Sequence, residues 1–298
     1  MHASLAKSIF ISAPDGLRLH AVRYGPADDR TLPVVCLPGL SRTTADFEAL
    51  ATVLAGDASR PRHVIALDYR GRGQSDYDRD PENYTFQTEL TDVLAVITAL
   101  DCMPAIFVGT SRGGILTMLL AAQRPTAIAG TVLNDIGPVI EPKGLMRIKG
   151  YVGRLPQPRN LEEAAEILRR LFSAQFPKLE PDDWLTAARR AFKQADDGRL
   201  VPTYDVRLAK TLEGVAFDKP LPALWKEFDA LADRPLMVIR GENSDLLAAA
   251  TVETMRAHHA GLETLEVPEQ GHPPLLAEAD VMTRIAEFAV HCDEAQGL

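Results

Sequence analysis

The sequence predicts an α/β protein: a mostly parallel eight-stranded sheet with helices on both faces and a helical lid insertion. Three observations predict it. Short, continuous apolar runs recur along the chain, as strands buried on both faces require. Between them apolar residues return at helical spacing, and strand–helix alternation of this kind builds a parallel sheet. Between residues 138 and 233 the alternation stops and prolines and amphipathic helices replace it.

Residues 8–11 (SIFI) and 17–24 read as two strands around Pro14-Asp15-Gly16, which is turn chemistry. So short a connection makes the pair antiparallel, at one edge of the sheet. Residues 33–37 (PVVCL), 63–67 (HVIAL), 105–108 (AIFV) and 128–133 are buried strands. Helices separate them. The first is marked by Phe47, Leu50 and Leu54. The second covers 85–100, with Phe86, Leu90, Val93, Leu94, Ile97 and Leu100 on one face. The third covers 115–122 and stops at Arg124-Pro125. The rhythm returns with a strand at 235–240 (PLMVIR), a helix at 248–259, a strand at 263–267 and a helix at 281–292. The insertion opens with Pro138, Pro142, Pro156 and Pro158. Its helix at 161–176 carries Glu162, Glu163 and Glu166 early and Arg169 and Arg170 late, which suits the helix dipole. A second helix, 181–192, has Pro181 in its first turn and an apolar stripe with Trp184, Leu185, Ala188 and Phe192. A third covers 221–231. The expected division is a core domain of residues 1–137 and 234–298, with residues 138–233 as a cap.

Of the 298 residues 24% are charged and 46% hydrophobic, and the net charge is −9. That balance disfavours a nucleic-acid partner, which wants a basic stripe, and disfavours an anionic membrane surface. Cys36, Cys102 and Cys292 are odd in number, and two of them sit in apolar runs. They read as reduced, buried thiols, and the expected location is the cytoplasm. The opening residues carry no apolar leader segment, and no stretch of about 18 apolar residues occurs. Association between copies of the chain stays open.

The chemistry concentrates in Gly109-Thr110-Ser111-Arg112-Gly113-Gly114, a G-x-S-x-G between a buried strand and a helix. Such a turn needs tiny neighbours and lifts the serine to a helix N-terminus, where developing negative charge is favoured. Serine needs a base, and the base an orienting carboxylate. Of seven histidines, His272 directly follows the last strand, at the same sheet edge as Ser111. Asp245, after strand PLMVIR, gives the chain order Ser111, Asp245, His272. Asp135, after the strand before the insertion, is the alternative acid. The backbone N–H groups of Leu40, in Pro38-Gly39-Leu40, and of Arg112 are the expected oxyanion donors. The Arg112 side chain either meets an anionic substrate or pairs with a buried carboxylate such as Asp135. Asp76, Asp78 and Asp80 alternate like a calcium loop, but Pro81 and Gln87 stand where its Gly and Glu belong. No metal site is expected.

The PGL loop, Asp68-Tyr69-Arg70-Gly71-Arg72-Gly73-Gln74-Ser75-Asp76, GTSRGG and the late Gly271-His272 resemble the α/β-hydrolase superfamily, in particular its capped esterase, lactonase and cofactor-free haloperoxidase-like members. In that pattern the acid stands three residues past the strand-ending glycine, whereas Asp245 stands four past Gly241. The resemblance implies a serine hydrolase that cleaves a small to medium ester or lactone through an acyl-enzyme on Ser111, without a cofactor. The alternatives are C–C bond hydrolysis or perhydrolysis by the same triad, and a ligand-binding receptor on the hydrolase scaffold.

Overall fold

The computed structural model describes residues 6–27, 30–215 and 221–298. The start of the opening segment and part of the insertion, including residues 216–220, lie outside that description. β1 (Ala6–Ser12) and β2 (Arg18–Tyr24) form the expected antiparallel pair. Then β3 (Val34–Leu37), α1 (Glu48–Gly56), β4 (Val64–Leu67), α2 (Phe86–Ala99), β5 (Ala105–Thr110), α3 (Arg112–Gln123) and β6 (Ile128–Asn134) alternate. The insertion contributes α4 (Pro142–Tyr151), α5 (Leu161–Phe172), α6 (Pro181–Ala191), β7 (Phe192–Gln194), β8 (Leu200–Pro202) and α7 (Trp225–Asp229). β9 (Leu236–Gly241), α8 (Ala249–His258), β10 (Glu263–Val267) and α9 (Ala279–Gln296) complete the chain.

The main sheet has eight strands in the order β1-β2-β4-β3-β5-β6-β9-β10. β2 runs antiparallel to β1 and β4, and all pairs from β4 to β10 are parallel. The period-2 geometry of strands divides its side chains between two cores. Val35, Leu37, Ile65 and Leu67 pack with α2 and α3 residues such as Val93, Ile97, Leu116 and Leu120. Val34, Cys36, Val64 and Ala66 pack on the other face with Phe47 and Leu50 and with Val281, Ile285 and Phe288 of α9.

The insertion is not uniform. Ala164, Leu168, Phe176, Trp184, Ala188 and Phe192 form a separate small core between α5 and α6. Ile148, Val152, Leu208, Leu212, Phe228 and Leu231 instead belong to the main core. α4 was not expected from the sequence, because Gly144 and Gly150 dilute its apolar pattern. The β7–β8 hairpin was also missed: its strands have three residues each, too few to show a period. Among the described residues no helix is long and apolar enough to cross a membrane. Cys36, Cys102 and Cys292 are buried and none is disulfide-bonded.

Candidate active site

Strand ends bring the candidate residues to one edge. Ser111 follows β5, Asp135 follows β6, and His272 follows β10 in the loop past Val267. Ser111 has φ 51° and ψ −112°, a backbone geometry rare for a side-chain-bearing residue. The turn tolerates no bulk beside it. A β-carbon on Gly113 would come within 2.0 Å of Leu37 O, and one on Gly109 within 2.6 Å of Gly114 N. Arg112 is the first residue of α3, so Ser111 caps a helix whose first N–H groups lack intrahelical acceptors.

His272 Nε2 lies 2.9 Å from Ser111 Oγ, and His272 Nδ1 lies 2.7 Å from Asp135 Oδ2. The acid in reach of the histidine is therefore Asp135. The expectation that Asp245 orients His272 is corrected. Asp245 instead accepts two hydrogen bonds from Arg147 of α4, from Nε at 2.7 Å and Nη2 at 2.8 Å. Burial opposes ionisation of Asp245, but Arg147 outweighs it and holds the carboxyl below its ordinary range. Asp135 is fully buried, and it accepts two further hydrogen bonds. Oδ1 takes the Gly241 N–H at 2.9 Å, and Oδ2 also takes the Ser244 hydroxyl at 2.6 Å. The place three residues past Gly241 thus belongs to Ser244, whose hydroxyl reaches the carboxylate that the neighbouring strand supplies.

The Arg112 side chain takes the second of its two expected roles, with a different partner. It pairs with a buried carboxylate, but that carboxylate is Glu89, at 2.6 Å from Nε, and not Asp135. Glu89 meets Arg72 as well, at 2.7 Å, and Arg72 Nε donates to Leu40 O at 2.9 Å. One carboxylate on α2 therefore joins both expected oxyanion residues, Arg112 through its side chain and Leu40 through its carbonyl. Burial pushes Glu89 up, but the Arg112 and Arg72 charges overcome it and hold the carboxyl below its usual range. Among the described residues neither the Leu40 N–H nor the Arg112 N–H has a protein acceptor. Glu89 was missed in the sequence, although it stands on the apolar face between Phe86 and Leu90, where a carboxylate needs a partner. Arg70, the other arginine of the Arg70-Gly71-Arg72-Gly73 run, is buried against Asp92 and Asp78.

The site opens into a cavity of about 120 Å³. Its floor is Gly39, Leu40, Ser111 and His272; its roof comes from the insertion, with Tyr151, Phe172, Phe176 and Trp184. A second serine–histidine–aspartate chain joins Ser8, His20 and Asp68 at 2.7 Å per contact. Ser8 lies exposed within edge strand β1 and not at the start of a helix. Among the described residues no group of three metal-ligating side chains comes together. Burial pushes the Cys102 and Cys292 thiols up to about 12, which leaves them without nucleophilic thiolate.

A mostly parallel sheet with a strained serine turn, a histidine loop and helices on both faces defines an α/β hydrolase. Residues 34–285 match the model of the alpha/beta hydrolase family, and the chain belongs to that family of hydrolases. Over 281 residues it is 33% identical to the 3-hydroxybutyrate-oligomer hydrolase of Cupriavidus necator, covering 90% of this chain and 92% of that protein. It is 25% identical over 234 residues to the 2-(acetamidomethylene)succinate hydrolase of Mesorhizobium japonicum, with 78% and 79% covered. The crystal structure of an alpha/beta hydrolase from Novosphingobium aromaticivorans superposes with a TM-score of 0.87 at 39% identity, covering 97% of this chain and 99% of that one.

Proposed function

We propose that this hydrolase cleaves small to medium carboxylic esters through an acyl-enzyme on Ser111. The observation that carries the reading is the hydrogen-bonded chain Ser111–His272–Asp135 on the floor of an apolar cavity. His272 Nε2 accepts the Ser111 proton as Oγ attacks the ester carbonyl. Asp135, accepting from Nδ1–H, selects the tautomer that leaves Nε2 free and stabilises the imidazolium that forms. The N–H groups of Leu40 and Arg112 take the oxyanion, and His272 then protonates the leaving alkoxide. Water, activated by the same histidine, releases the acid. The cavity is near the size that admits a benzene-sized group, roughly 150 Å³ in an engineered case, which favours short acyl chains. The relative from Cupriavidus necator makes oligoesters of hydroxy acids the first substrates to try.

The test is mass spectrometry after fluorophosphonate treatment, run beside a chain-length series of p-nitrophenyl esters. Label is expected on Ser111 and not on Ser8, and Ser111→Ala is expected to lose both label and turnover. Label elsewhere, or an alanine variant that keeps its activity, overturns the mechanism. Faster turnover of β-diketones than of any ester moves the reaction to C–C bonds.

A further inference from the structure

The Ser111 cavity shares Arg42, Phe176 and Leu179 with a wider groove of about 690 Å³. Arg42 stands at the junction: a β-carbon on Gly39 would lie 3.3 Å from Arg42 Cγ and 3.8 Å from Ser111 Cβ. Arg42 Nε donates to Asp46 at 2.6 Å, while its two terminal nitrogens have no protein acceptor among the described residues. Arg190, at the end of α6, lines the same groove, is only partly exposed, and has no carboxylate partner among the described residues. Arg42 and Arg190 meet again in a small cleft with Thr110, Asn134 and Pro273, where Asp46 is the one acid.

The groove also carries acids, two of them ion-paired and two held only by neutral donors. Glu266 pairs with Arg240, Glu269 with Lys178, Asp183 accepts from the Glu180 N–H, and Glu278 from Gln270. Asp280 is left, in the first turn of α9, and it does not border the cleft. Beside Thr110, the residue before Ser111, the cleft thus sets two guanidinium groups against one carboxylate, a local positive charge in a chain of net charge −9 whose overall field repels anions. Two guanidinium groups in a half-buried cleft suit a planar carboxylate.

We propose that Arg42 and Arg190 form a carboxylate subsite beside Ser111, so that the enzyme takes esters whose alcohol part ends in a carboxylate: linear oligoesters of hydroxy acids, cut at their carboxyl end. This rests on the ester reading above and adds its polarity. The apolar cavity takes the acyl side, and the groove takes the leaving hydroxy acid. Ser111 Oγ bonds to the carbonyl carbon, and the ester C–O bond breaks as the resulting oxyanion collapses. The Ser111 proton passes through His272 to the leaving alkoxide, while the carboxylate stays ionised on the arginines. Water then cleaves the acyl-enzyme, restores the Ser111 proton and frees an oligomer one unit shorter.

The probe is the linear dimer of 3-hydroxybutyrate, as free acid and as methyl ester. Calorimetry on the Ser111→Ala protein measures binding without turnover; the free acid is expected to bind at least tenfold more tightly than the methyl ester, with the gap shrinking as salt rises. Arg190→Gln in that background is expected to close most of the gap, and Arg42→Gln likewise. In the native enzyme the same preference is expected in kcat/KM, carried by KM. Equal binding of acid and methyl ester, or a preference that survives both substitutions, overturns the subsite. Preferential binding without any ester turnover keeps the subsite and overturns the ester reading; turnover without preference does the reverse.

Discussion

Asp135 and Asp245 follow neighbouring parallel strands, and what separates them is their surroundings. Asp135 receives His272, Ser244 and the Gly241 N–H, whereas Asp245 is held by Nε and Nη2 of Arg147. Asp135→Asn is expected to remain folded and to lose about four orders of magnitude in rate, because the amide favours the wrong histidine tautomer. Asp245→Asn is expected to stay within about tenfold of native activity, since none of its hydrogen bonds reaches His272. Single-turnover rates with a p-nitrophenyl ester check both, and the reverse pattern would return the acid to Asp245. Ser111 and His272 were legible in the sequence because a strained serine turn and a glycine–histidine loop each sit directly after a strand. The candidate acid was less legible. Two aspartates share that placement, and only three-dimensional contact shows that Arg147, 98 residues away in sequence order, has claimed one of them.

At the scale of elements, the parallel strands and their helices were readable because continuous apolar runs and helical spacing differ in period. What escaped was small or diluted: α4, with two glycines, and the three-residue strands β7 and β8. α4 matters because it fastens the insertion to the sheet edge. Arg147 bonds Asp245, and the Gly144 N–H donates to Asp245 O at 2.9 Å. Asp245 has a carboxyl held below its unfolded value by Arg147 against the opposing effect of burial. Such a group stabilises the fold fully above its unfolded value, ordinarily about 3.9, and that contribution fades as pH falls through the depressed folded value. Asp245→Asn is expected to lower the melting temperature at neutral pH and to match native more closely as pH drops below about 4. Melting curves from pH 7 to pH 3 check this, and a constant difference across that range would show that the ion pair does not hold α4 in place.

For the whole molecule, the insertion expected as one cap is two things. Residues of α5 and α6 close on each other in their own small core and roof the Ser111 cavity. Ile148, Val152, Leu208, Leu212, Phe228 and Leu231 fill the core that α2, α3 and α8 share with the sheet. Losing one buried Leu or Phe costs about 2–5 kcal/mol, and a domain has about 5–15 kcal/mol in total. Deleting all of 138–233 is therefore expected to leave an insoluble or unfolded chain. A smaller excision follows a better boundary. The Gly153 N–H donates to the Tyr204 hydroxyl at 3.0 Å, so the chain leaves and re-enters the main core at nearly one point. Replacing 157–202 by a short Gly-Ser linker removes α5, α6 and the hairpin and spares the six core residues. That protein is expected to fold cooperatively, to keep fluorophosphonate label on Ser111, and to lose most of its discrimination among acyl chain lengths as the roof goes. Circular dichroism melts and the p-nitrophenyl series on both deletions check it. A folded 138–233 deletion would show that the sheet core does not need the insertion's residues, and a smaller deletion that keeps the native chain-length profile would show that the roof of α5 and α6 does not set acyl selectivity.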